Sequence, residues 1–194
     1  MQERMAKVGA LAMLAVVAGS SLGAAPAQAQ PDDLTARSRA LAADFQDNLR
    51  GQHVGALKTG GPLLALDVCQ KAAPAIAQEV GARAGARVWR TSMKARNPRG
   101  APDAWERTTL EQFAARRAAG EDPATIEAST RTATGFRYLK AIPMAAEPCG
   151  QCHGTHIAPE VAAKIAALYP QDHATGFVPG ELRGAVSITW PAQR

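Results

Sequence analysis

The run Cys149-Gly150-Gln151-Cys152-His153 constrains this chain more than any other stretch. Two cysteines three apart, followed directly by histidine, form the pattern of covalent c-type haem attachment. Two thiols add across the two haem vinyl groups, and the two intervening residues let both reach one porphyrin edge. His153 then falls under the iron as the proximal ligand. Other chemistry fits less well. A zinc site needs a second ligand pair, and the chain has no second C-x-x-C. A thioredoxin-like dithiol opens a helix in a βαβ unit, whereas Pro148 and Gly154 place this run in a loop. One covalent haem c would be the largest apolar body in the core of a chain of 194 residues.

The N-terminus carries an export pattern. Arg4 and Lys7 form a charged start, Val8 to Val17 a short apolar run, and Ala27-Gln28-Ala29 a small-residue cleavage site. This predicts a secretory signal over 1–29 and a single mature domain over 30–194. An uncleaved anchor is the competing reading, but the run is short and rich in Ala and Gly. The rest of the chain has no long apolar stretch, so no membrane span is expected after cleavage. A periplasmic or otherwise exported location agrees with the motif, because c-type haem is attached outside the bacterial cytoplasm.

The formal charge is +5. Removing Glu3, Arg4 and Lys7 with the signal subtracts one net positive charge and leaves +4. The bases are scattered, with no dense Lys/Arg run, which excludes a nucleic-acid-binding reading. A mild attraction to an acidic redox partner remains. Of three cysteines, Cys69 is not needed for attachment. An odd thiol in an oxidising compartment is buried, paired between chains, or put to use.

Leu34, Leu41, Phe45, Leu49 and Leu57 recur at helical spacing and predict an amphipathic first helix. His53 continues that stripe as a core-edge histidine. Gly60-Gly61-Pro62 breaks the chain. Leu66, Cys69, Ala73, Ile76 and Val80 then repeat on one face of a second helix, so Cys69 is expected to turn inward. Pro74 cannot donate to the carbonyl of Gln70 and should kink this helix just after Cys69. Val88 to Ser92 reads as a strand, and Arg96 to Ala101 as a loop. Asp103 with Glu106 reads as a capping box opening a third helix that Gly120 ends. Phe136 to Ile142 reads as a strand with which Thr125 to Thr132 may pair. Pro159 opens a last helix, and Pro170 stops it. Val186, Ile188 and Trp190, alternating with Ser187 and Thr189, predict a half-buried final strand. Strands between helices, with antiparallel pairings favoured, give an α+β fold.

In this order the residues resemble a family of bacterial single-haem c-type proteins with a PAS-like core. The resemblance rests on Val68-Cys69, Arg90-Thr91-Ser92, Arg96-Asn97-Pro98, Pro102-Asp103 with Trp105-Glu106, Cys149-x-x-Cys152-His153-Gly154, Tyr169-Pro170, and Gly180 with Arg183-Gly184-Ala185. It implies a PAS-like antiparallel sheet flanked by helices, with haem held between the sheet and the C-x-x-C-H loop. It also implies Cys69 as the distal iron ligand opposite His153. Members of such a family occur as exported proteins and as sensory domains.

The residues themselves leave other sixth ligands open. Met144 lies five residues before Cys149, which is awkward for the far face, and Met93 lies in a polar context. His156 follows the attachment loop, and His173 adjoins Asp172 in a turn. A buried, inert Cys69 also stays open. Arg90, Arg96 and Arg183 are candidates for the haem propionates, since a guanidinium fork matches a carboxylate. The competing reading is a solvated arginine. Trp89, Trp105, Phe136 and Tyr138 either wall the haem or fill the core. The functional expectation is a haem-based redox or gas sensor module that signals to a partner protein, with a periplasmic electron-transfer cytochrome as the alternative. An enzyme is not expected, because if Cys69 takes the sixth position, as the resemblance implies, the resting iron has no free site.

Overall fold

The computed structural model describes residues 31–192. The expected signal over 1–29 lies outside them. In chain order the elements are α1 (Pro31–Asp67), a π-helical turn (Val68–Ala72), α2 (Ala73–Ala84), β1 (Arg87–Thr91), a 3₁₀ turn (Pro98–Gly100), α3 (Ala104–Ala118), β2 (Glu127–Thr132), β3 (Gly135–Pro143), α4 (Gly150–His153), α5 (Pro159–Leu168) and β4 (Leu182–Pro191).

The four strands form one antiparallel sheet in the order β1-β4-β3-β2. The α+β expectation holds, and so does the pairing of the 125–132 stretch with the strand that follows it. Along β3 and β4 successive side chains point to opposite faces. Phe136, Tyr138, Val186, Ile188 and Trp190 meet Leu41, Phe45 and Leu49 of α1 and Ile76 and Val80 of α2. On the other face Leu139, Ala141 and Ala185 meet Leu110 and Phe113 of α3. Helices cover both faces, so β4 is a central strand and not the half-buried strand its alternation implied. Ser187 is fully buried for the same reason. Two polar handles inside this core are paired: the Trp190 indole N–H donates to Ser38 Oγ at 2.8 Å, and the Tyr138 hydroxyl donates to Glu127 at 2.7 Å; the buried hydroxyls of Ser187 and Thr91 have no partner among the described residues.

The local punctuation follows the sequence. Non-helical backbone at Gly60 and Gly61, the latter at φ +64, breaks α1 before Pro62. Asp103 and Glu106 form the reciprocal capping box, at 2.9 and 3.1 Å. Pro74 acts in a different form from a simple kink. The helix widens ahead of it into the π turn, in which the Ala73 N–H reaches the Val68 carbonyl five residues back. Cys69 lies within that turn.

Among the described residues, no helix is long and apolar enough to cross a membrane.

Candidate functional site

A cavity of about 590 Å³ opens between α2 and edge strand β1, and reaches the loop that carries His153. This is within the usual range for a cofactor-sized site. Phe45 and Val88 supply part of its apolar wall, Trp89 and Tyr169 its aromatic part. Cys69 and His153 both line it, as do Arg90, Arg96 and Arg183. Five residues scattered over more than a hundred positions therefore share one space.

His153 ends α4, a single helical turn where the sequence suggested an irregular loop. The turn closes because the amides of Gly150 and His153 donate four residues back, to Ala146 and Cys149, at 2.9 and 3.0 Å. The segment that follows α5 braces this turn: Gly176 N–H donates to Gly154 O at 3.0 Å, and Phe177 N–H to His153 O at 2.9 Å. His153 Nδ1 lies 2.7 Å from the Ala174 carbonyl. A carbonyl oxygen only accepts, so Nδ1 carries the proton and Nε2 keeps its lone pair. Arg183 Nε, 3.2 Å from the same Nδ1, is then a close neighbour and not a donor to it. Burial, with Arg183 and Arg96 adding to it, pushes the His153 pKa down to about 2. The imidazole is neutral, as a metal ligand must be.

Arg96 is buried and fixes the loop from the other side. Its Nη2 donates to the Cys152 carbonyl at 2.6 Å and to Ala174 O at 3.3 Å. Its Nε donates to Asp172 at 3.2 Å. Its Nη1 is buried without a hydrogen-bond partner. Arg183 donates from Nη1 to Ser92 Oγ at 3.2 Å and to Lys94 O at 3.3 Å. Burial, then the charges of Arg90 and Arg96, lower its pKa to about 9. Gly184 makes this approach possible: at φ +146, a Cβ there would lie 2.3 Å from the Thr91 carbonyl.

These groups bear on the haem that the C-x-x-C-H run predicts. A neutral histidine with a free Nε2, a thiol on the same cavity wall, and a buried guanidinium N–H with no partner make a donor set that fits a dicarboxylate metalloporphyrin. The two thiols expected to attach it are placed differently. Cys149 packs against Met144, Ala174 and Phe177, and Cys152 is buried with Leu66, Val161 and Ile165. Neither lines the cavity.

The other candidates separate clearly. Met144 is buried in the Ala174–Phe177 cluster, and Met93 is exposed. His156 lines a separate groove outside the attachment turn. His173 is exposed, and its amide donates to Ala95 O at 3.0 Å. His53 is half-buried, and burial followed by the Arg90 charge lowers its pKa. Of the four aromatics left open, Trp89 alone walls the cavity. Phe136 and Tyr138 fill the core, and Trp105 carries Arg137 over its ring at 4.4 Å.

Asp172 is the functional residue that sequence reasoning missed. It holds Arg96 and also accepts from Ala174 N–H at 2.8 Å. The available signal was its position as the lone carboxylate between Glu160 and Glu181.

An antiparallel sheet with helices on both faces, and a cofactor-sized cavity at its edge walled by histidine, thiol and arginines, defines an α+β domain with a candidate binding site. The chain belongs to the Tll0287-like family, whose family model matches residues 12–191. It is similar to the solved structure described as the cyanobacterial heme-protein Tll0287, with 26% sequence identity and a TM-score of 0.62. The similarity covers 86% of this chain and 99% of that one. No curated protein matches.

Proposed function

We propose that the chain is an exported single-haem c-type protein with a PAS-like core that works as a haem-based redox sensor module. One haem would be held covalently by Cys149 and Cys152, with His153 as the proximal ligand and Cys69 as the distal ligand. Arg90, Arg96 and Arg183 would receive the propionates. The observation that carries the proposal is the cavity wall shared by His153 and Cys69. The spacing of the C-x-x-C-H run and the solved heme-protein of the same family support it.

When bound, the haem supplies a one-electron ferric–ferrous couple. The residues of the chain do the rest. Ala174 O holds the His153 proton on Nδ1 and so aims Nε2 into the cavity. Asp172 and the Cys152 carbonyl orient Arg96 so that its unpartnered Nη1 can meet a carboxylate. Phe45 and Trp89 help keep water from the plate.

The two residues that would hold the iron are themselves held differently. His153 sits in a hydrogen-bonded turn braced by a second segment, whereas Cys69 sits in a π turn. A thiolate also stabilises ferric iron. That asymmetry favours the sensor over a carrier, whose ligands should stay in place in both oxidation states. With Cys69 as a ligand, the resting ferric iron would have no open position for a substrate, which favours sensing over catalysis.

Acid-acetone extraction of protein expressed with haem-maturation machinery tests attachment: colour should stay with the polypeptide, and colour in the acetone overturns the covalent reading. The midpoint potential, measured with and without carbon monoxide, tests the role. Ligand exchange on reduction supports the sensor. A reversible couple indifferent to the gas supports the electron-transfer alternative.

A further inference from the structure

The cavity carries more positive charge than its expected occupant can neutralise. Arg87, Arg90, Arg96, Arg99 and Arg183 line it, and no Asp or Glu does. Asp172 offsets one of the five, Arg96. Two haem propionates would offset two more, leaving two of the remaining four. Arg87, Arg90 and Arg99 are exposed at the mouth, and none has a carboxylate partner among the described residues. Arg87 is held in place with its guanidinium over the Trp89 ring at 4.4 Å. Lys94 adds a further exposed cation close by, over the Phe177 ring at 4.3 Å.

From this we infer that the mouth of the cavity is the docking surface for an acidic redox protein, with Arg87 and Arg99 as its free contacts. The inference rests on the haem reading above and names the kind of partner that haem would exchange electrons with. The step is simple in balance. One electron would leave the partner's redox centre and reduce ferric iron to ferrous in the docked pair, ahead of any exchange of the Cys69 ligand. A sensor of redox state needs such a surface as much as a carrier does. The basic mouth raises the local concentration of an acidic partner and orients it toward the iron.

The test is stopped-flow reduction of the ferric full-chain holoprotein by a reduced [2Fe–2S] ferredoxin with an acidic surface, across a range of ionic strength. The second-order rate constant should fall steeply as salt rises. At low salt, Arg87→Gln with Arg99→Gln should slow it about tenfold. Arg87→Lys with Arg99→Lys, which keeps both charges, should retain the parent rate. Arg50→Gln with Lys58→Gln removes two exposed charges from α1 and should slow it far less. Equal loss in both Gln pairs overturns the inference in favour of net charge alone. A rate indifferent to salt or to the mouth variants also overturns it. So does a loss seen with the small anion dithionite but not with ferredoxin, which would make the mouth a small-anion entry. The readout needs haem bound by either route, so failed thioether attachment in the extraction test remains distinguishable from failed docking.

Discussion

Arg96 donates to the backbone carbonyl of Cys152 at 2.6 Å, from a position 56 residues earlier in the chain. This bond joins the start of the loop after β1 to the turn that presents His153. It also makes the buried Arg96–Asp172 pair a strut of the site and not an isolated ion pair. Removing one member leaves the other charge uncompensated in the interior. Arg96→Ala should therefore destabilise the fold by on the order of 3 kcal/mol. Arg96→Ala combined with Asp172→Ala should cost less than the sum of the two single changes. Thermal melts of the three variants check this, and additivity would show that the pair is not coupled.

The second prediction concerns Cys69. Ferric holoprotein should show low-spin thiolate features in optical and electron paramagnetic resonance spectra, and Cys69→Ala should lose them and raise the midpoint potential. An unchanged spectrum in the variant would show that Cys69 is a core residue only.

Gly184 sets the distance between β4 and the end of β1. A methyl group there meets the Thr91 carbonyl in a backbone conformation that L residues rarely adopt. Gly184→Ala should cost more than about 1 kcal/mol. It should also pull Arg183 off Ser92, whereas Gly100→Ala, whose added carbon would lie 3.1 Å from one carbonyl, should cost less. Comparing the two melting temperatures decides whether the strained backbone matters.

The pH prediction rests on Glu127, which does not line the cavity that holds Cys69 and His153. Burial alone would raise its pKa, but hydrogen bonds from Arg39 and Tyr138, with the charges of Arg39 and Lys140, bring it below the usual glutamate value. A depressed folded-state pKa contributes stability that is present above the unfolded value of about 4.3 and is lost as pH falls through the folded value. Glu127→Gln should lower the melting temperature at pH 7, and the gap to the parent should shrink below about pH 4. A gap that stays constant down to acid pH would remove the carboxylate from the explanation.

The last prediction is haem dependence of the fold. Without an occupant, the cavity leaves Phe45 and Val88, both buried, beside a void. Protein made without maturation machinery should melt lower and less cooperatively than holoprotein. Superimposable melts would show that the domain stands without the group.

Periodicity makes α1 and α2 legible, because amphipathic spacing survives in any context that buries one face. It misread β4, because a serine at position 187 looks solvent-facing until a second helix covers it. At the site, Cys149, Cys152 and His153 could be read directly, since adjacent chemistry leaves a local signature. The convergence of Arg96, Asp172 and Ala174 on that loop could not. Those bonds are made by tertiary approach, and a lone carboxylate before a histidine carries no spacing that announces its partner. Arg87 and Arg99 were invisible for the opposite reason: a basic residue on a strand or loop looks the same whether or not a cavity opens beside it.

The π turn at Val68–Ala72 holds one residue more than an α-helical turn of the same rise would need. It therefore takes up one residue while the helical segments on either side of it, 62–67 and α2, stay nearly in phase. Deleting a single residue from it would restore regular winding without turning the packed face of α2 away from the sheet. The side chains of the turn, Cys69 among them, would instead be redistributed around the helix axis, and the thiol would lose its place on the cavity wall. Which atom meets the far side of the site is thus decided by a count of residues along one helix, in a chain where Pro74 enforces that count.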